Sequence, residues 1–161
     1  MILRTPTRAD CQLVGEWRNA PDVLPMLRTG HKSPEEQDRF YDDVICNPHS
    51  GHIYWSVTTD GGACVGLAGL TYLNEPESSP LANQITLVMG PESRGHGWGY
   101  SAVVSVLAAA FGPLALDFVQ GECYAAGPTG FWLTCIKRMQ WPSTYGIDSE
   151  RTLRWKWTRP W

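Results

Sequence analysis

This sequence has no long hydrophobic run. The longest, Ala102 to Phe111, falls well short of the roughly 20 apolar residues a membrane helix needs, and it carries Ser105. The opening MILRTPTRAD has no apolar core before its charges begin, so no secretory signal is expected and a cytoplasmic location is. Paired cysteine motifs are missing as well. Cys11, Cys46, Cys64, Cys123 and Cys135 are scattered and odd in number, which argues against a disulfide scaffold or a zinc site and predicts buried, reduced thiols. Charge is low: 18% of residues are Asp, Glu, Lys or Arg, and the net charge of −3 excludes a polycation that coats nucleic acid. No repeat, low-complexity tract or linker divides the chain, and 161 residues suit one domain, 1–161, with one core.

What is present alternates between helix and strand signals. ILRT (2–5) predicts a short opening strand. Leu13, Val14 and Trp17 sit at helical spacing, weakened by Gly15 and ended by Pro21. Ser33, Pro34 and Glu36 form a capping-box signature ahead of QDRFYDDVIC, so a second helix is expected up to Asn47-Pro48. HIYWSVTT (52–59) and ACVGLAGLTYL (63–73) predict a hairpin around Asp60-Gly61-Gly62. ANQITLVM (82–89) predicts a fourth strand. A helix follows from Ser101 to Gly112-Pro113, then a strand over 116–125 and a helix over 129–139. STYGI (143–147) and TLRWKWT (152–158) close the chain as a hairpin. The order β-α-α-β-β-β-α-β-α-β-β implies an α/β (α+β) fold with a mixed sheet.

The segment ESRGHGWGYS (92–101) lies between the fourth strand and its helix. The first N–H groups of a helix have no partner within it, and the helix dipole adds positive potential there. A phosphate docks on such an end when glycines let the backbone approach closely, and Arg94 supplies a cation at the rim. A Walker loop is excluded, because no Gly-Lys-Ser/Thr follows, and the Rossmann spacing GxGxxG is not matched. Physics alone leaves open a phosphate cradle or a plain strand-to-helix turn.

The context of the turn resembles the GNAT superfamily of N-acetyltransferases, whose acetyl-CoA motif is Arg/Gln-x-x-Gly-x-Gly/Ala. Arg94-Gly95-His96-Gly97-Trp98-Gly99 fits it at each fixed position. GPESRGHGWG looks most like the branch that acetylates protein N-termini, ribosomal proteins among them, and similar amines. The resemblance implies a mixed, mostly antiparallel sheet of about six or seven strands with about four helices. It implies acetyl-CoA as donor, no metal, an amine acceptor, and a monomer or homodimer. Leu87, Val88 and Met89 would pair with the pantetheine arm, and an N–H near Val88 would polarise the thioester carbonyl. N–H groups of Arg94, Gly95, His96, Gly97, Trp98 and Gly99 would hold the pyrophosphate, and Tyr100, Ser101 and Thr129 would also bind the cofactor, Thr129 standing where the family often opens its next helix with asparagine.

The acid–base residues depart from the family pattern. Its fourth-strand glutamate corresponds here to Gln84, which cannot take a proton, and its tyrosine in the later helix corresponds to Ile136. Glu122 and Tyr124, expected on one face of the fifth strand, are the substitute base and acid. With Gln84 they are the catalytic candidates. Trp17, Tyr54, Trp55 and Tyr72 are expected either in the core or lining an acceptor pocket. Trp155 and Trp157 alternate with Arg154 and Lys156. That pattern suits a core face backed by a solvated one; stacking on nucleobases, with a nucleobase as acceptor, is the less favoured alternative.

Overall fold

The computed structural model describes residues 1–27, 29–124 and 127–160. Seven strands form one sheet: β1 (Ile2–Arg4), β2 (Ile53–Thr58), β3 (Cys64–Thr71), β4 (Gln84–Met89), β5 (Phe118–Cys123), β6 (Ser143–Ile147) and β7 (Leu153–Thr158), in the order β1-β2-β3-β4-β5-β7-β6. Four α-helices accompany it: α1 (Arg8–Asn19), α2 (Pro34–Phe40), α3 (Trp98–Phe111) and α4 (Thr129–Arg138). Every strand pair is antiparallel except β4–β5. The predicted element order and mixed sheet are both found.

Local sequence explains the ends of the helices. Thr7 caps α1 and Ser33 caps α2, each with a complete capping box. The chain beyond α2 is not regular α-helix as expected. It widens into a π-turn over Tyr41–Ile45, closed by the Cys46 N–H donating to the Tyr41 carbonyl at 2.9 Å. Asp38 before the turn and Asp42 within it both meet Arg8 of α1, at 3.2 and 2.5 Å. Gly15, a weakness on propensity grounds, is a contact point: a Cβ there would stand 2.6 Å from the Gln37 side chain of α2. The glycine lets the two helices approach.

The core lies between the sheet and α3 with α4. Ala102, Val103, Val106, Leu107 and Ala110 of α3 are buried against Ile85, Val119 and Cys123. Trp132 of α4 stacks on Trp155 at 4.6 Å. Trp155 and Trp157 are 3% and 0% exposed, which removes them as stacking platforms for a nucleobase. Three cysteines are buried as expected. Cys46 is exposed and Cys64 half-buried, because the π-turn and the start of β3 leave them at the surface; all five are free thiols.

Candidate active site

β4 and β5 are joined only at Gln84↔Gln120. Beyond that point the parallel strands part, although each runs on for several residues. The closed end is fixed by side-chain bonds: Gln120 Nε2 donates to the carbonyls of Ser79 and Ala82 at 3.3 and 2.8 Å. The gap opens into a cleft of about 700 Å³ that continues to the N-terminus of α3.

Register decides which backbone groups face the gap. Gly90 donates its N–H to the Val65 carbonyl at 3.0 Å, and β3 and β4 pair without a bulge from there. The two-residue repeat of an antiparallel ladder turns the N–H groups of Val88, Thr86 and Gln84 toward β3. Those of Leu87 and Met89 turn the other way, toward the gap. The N–H groups near Val88 that face the gap are therefore those of its neighbours.

At the far end of the cleft, Gly95 and Gly97 both adopt φ of +79°, the left-handed region that disfavours a side chain. A Cβ at either position meets nothing within 4 Å, so the concave side of the turn is open. No side chain caps α3. Its ladder begins with the Ser101 N–H donating to the Gly97 carbonyl at 3.1 Å, which leaves the N–H groups of Trp98, Gly99 and Tyr100 without intrahelical partners. The Ser101 N–H is thus already used within the helix. His96 is turned aside: Nδ1 lies 2.9 Å from the Arg94 carbonyl and the ring stacks on Trp98 at 5.3 Å. Arg94 stands at the rim, paired with Asp22 at 2.9 Å. Arg138 of α4 lies over the Tyr100 ring, bringing a second cation to this end. Thr129 opens α4 with its hydroxyl 3.8 Å from Cys123 Sγ, and it is not part of the cleft wall.

The other half of the site holds side-chain chemistry. Gln84, Gln120 and Glu122 share one sheet face, opposite the Ile85, Val119 and Cys123 core. Tyr124 lies one residue past the end of β5 rather than on it, because the chain turns there through the Gly127 N–H donating to the Tyr124 carbonyl at 2.7 Å. It still meets its predicted partner: the Tyr124 hydroxyl donates to Glu122 Oε1 at 2.5 Å. Arg154 Nε stands 3.6 Å from Glu122 Oε2. Ile136, where the resemblance looks for an acid, is 4% exposed in the apolar core and takes no part.

Residues that sequence reasoning did not single out complete the walls. Arg18 from the last turn of α1, Val23 and Met26 from the following loop, Leu81 and Phe131 all border the cleft, and no spacing pattern in the sequence marks them. Of the four aromatics noted there, only Tyr72 borders it. Trp17 packs beneath Gly90, and Tyr54 meets Phe40 edge-on at 5.2 Å. Among the described residues no cluster of His, Cys, Asp and Glu is arranged to hold a metal, and no helix is long and apolar enough to cross a membrane.

Comparison with known proteins agrees with this geometry. Residues 1–127 match the family model described as an acetyltransferase (GNAT) domain. No curated protein matches the sequence. Among solved structures the chain is similar to a spermidine N-acetyltransferase from Vibrio cholerae in complex with CoA and spermine, with a TM-score of 0.79 and 15% identity over 98% of this chain and 95% of that one. A dodecameric structure of spermidine N-acetyltransferase from the same organism, in an intermediate state, gives a TM-score of 0.73 at 15% identity over 98% and 93%. At such identities the likeness is one of fold. The family match spans well over half of the chain, so this protein belongs to the GNAT acetyltransferases, enzymes that move an acetyl group from acetyl-CoA to an amine.

Proposed function

We propose that the cleft between β4 and β5 holds acetyl-CoA and delivers its acetyl group to a primary amine of the kind found on protein N-termini and small molecules. One observation carries this reading: the strand gap and the uncapped, glycine-lined end of α3 open into the same cleft. The N–H groups of Trp98, Gly99 and Tyr100, with Gly95 and Gly97 clearing the approach, would take the pyrophosphate, and Arg94 would add charge. The backbone of Leu87 and Met89 would meet the pantetheine arm. Gln84, at the closed end, would orient polar groups without exchanging protons.

Glu122 and Tyr124 supply the acid–base chemistry in this reading. The acceptor ammonium gives a proton to Glu122, the freed amine forms the C–N bond as the C–S bond breaks, and the departing thiolate takes a proton from Tyr124. Glu122 then reprotonates Tyr124 along their hydrogen bond, and the second amine proton leaves to solvent. The short contact between the two groups supports a relay of this kind.

The whole chain, 1–161, is read as one domain, supported by β7 lying between β5 and β6 within the single sheet. A monomer or homodimer in the cytoplasm is the accompanying expectation, the five free thiols fitting a reducing compartment. The test measures free thiol released from acetyl-CoA with and without amine acceptors, beside the melting temperature with and without acetyl-CoA. Acceptor-dependent thiol release together with a rise in melting temperature is the expected result. A rise without release would leave a coenzyme A-binding domain, and no rise at millimolar acetyl-CoA would overturn the site.

A further inference from the structure

Arg18 is the one cation in the cleft wall, among the described residues, without a carboxylate partner. Two other charged side chains among the described residues line that cleft. Arg94 is held by Asp22, and Glu122 is held by Tyr124 and Arg154. Elsewhere Arg4 holds one aspartate and Arg8 two. Arg18 has only a neutral partner: Nη2 donates to the Thr29 hydroxyl at 2.6 Å, while Nε is buried and bonded to nothing. Arg18 also borders a second hollow of about 470 Å³ between α1 and α2, so it forms part of the partition between the two spaces. The nearby Tyr54 offers no counter-charge, since burial pushes its phenol up to about 12.

A guanidinium stays protonated in a protein, and taking it out of water without an anion is unfavourable. Burial draws the Arg18 pKa down from its ordinary value, the direction expected of a cation that lacks a counter-ion. Such a group serves recognition when the missing anion arrives with the ligand. Its planar fork matches a carboxylate, and its charge disfavours a second ammonium group. The same cleft wall carries the apolar side chains of Val23, Met26 and Leu81.

We propose that Arg18 binds a carboxylate of the acceptor, so that the amine acetylated here belongs to an apolar molecule that also carries a carboxylate. This specificity rests on the acetyl-transfer reading above. It sets this chain apart from the polyamine acceptors in the names of its structural relatives, whose additional ammonium groups would face the guanidinium.

The experiment compares leucine with leucinamide, a peptide bearing glutamate at its second position with its glutamine counterpart, and spermidine. Each is tested on the wild type, Arg18→Gln and Arg18→Lys. The carboxylate member of at least one pair is expected to exceed its neutral partner by about tenfold to a hundredfold in kcat/KM. Which pair shows the preference distinguishes a free amino acid from an acidic peptide. Arg18→Gln should erase the preference through KM, and Arg18→Lys should restore part of it. A binding arm does not depend on turnover: the carboxylate-bearing amine should raise the melting temperature of the CoA-loaded wild type and not of Arg18→Gln. Fold integrity is read from Arg18→Met, which should melt no lower than the wild type, since it removes a half-buried cation that has no counter-ion among the described residues. Preference for spermidine, equal use of carboxylate and carboxamide, or an equal loss on both in Arg18→Gln would each overturn the assignment. Absence of thiol release with the binding arm intact would overturn only the acetyl-transfer reading.

Discussion

The two ends of the cleft are built by different means. The end we propose for the donor is backbone: two left-handed glycines, an uncapped helix start and a strand whose register turns alternate N–H groups toward a gap. The end we propose for the acceptor is side chain: Arg18 of α1, with Glu122 and Tyr124 at the end of β5, all line the cleft. A site made of backbone is tolerant of sequence except where glycine is required. One made of side chains is set by a few residues and changes with them. The difference separates what GNAT members hold in common, the acetyl donor, from what distinguishes them, the acceptor.

Substitutions at either end test whether the two are separable. The largest effect is expected from Glu122→Gln, which should lower kcat by about a hundredfold to a thousandfold while acetyl-CoA binding stays as in the wild type. A loss of binding in that variant would merge the two ends. Tyr124→Phe should lower kcat less, by about tenfold, because water can protonate a thiolate. In the double variant the two losses should fall short of multiplying, the signature of groups that share a hydrogen bond. The smallest effect belongs to Asp22→Asn. Its pair with Arg94 is exposed on both sides, so stability should barely change. Acetyl-CoA should bind slightly more tightly once Arg94 is released. Weaker binding would show that Asp22 positions Arg94 rather than competing for it.

Sequence legibility follows the same division. The turn at 92–101 is contiguous, and its demands for glycine, a cation and a following helix are written side by side. Strands and helices were legible for a similar reason, since apolar periodicity and capping boxes are local signals. The π-turn at 41–45 was not, because its widening accompanies contacts between Arg8 and two aspartates of a different helix. The role of Gly15 was hidden too, as only the packed α2 gives the missing side chain a reason. Glu122 and Tyr124 could be paired by strand alternation even though the strand stops between them. Arg18 could not be found, because what marks it is the lack of a carboxylate partner among the described residues. That feature exists only once the surrounding helices are in place.

The central claim is that the open side of the glycine turn receives the pyrophosphate of acetyl-CoA. It is tested most directly by calorimetric titration of acetyl-CoA into the wild type and Gly97→Val. The side chain would enter space that is open in the structure, at a φ of +79° where a β-branched residue costs about 1–3 kcal/mol. The unliganded variant should therefore melt several degrees lower yet remain folded, and its affinity for acetyl-CoA should fall by about 30-fold or more. A folded Gly97→Val that binds acetyl-CoA as tightly as the wild type would contradict the account.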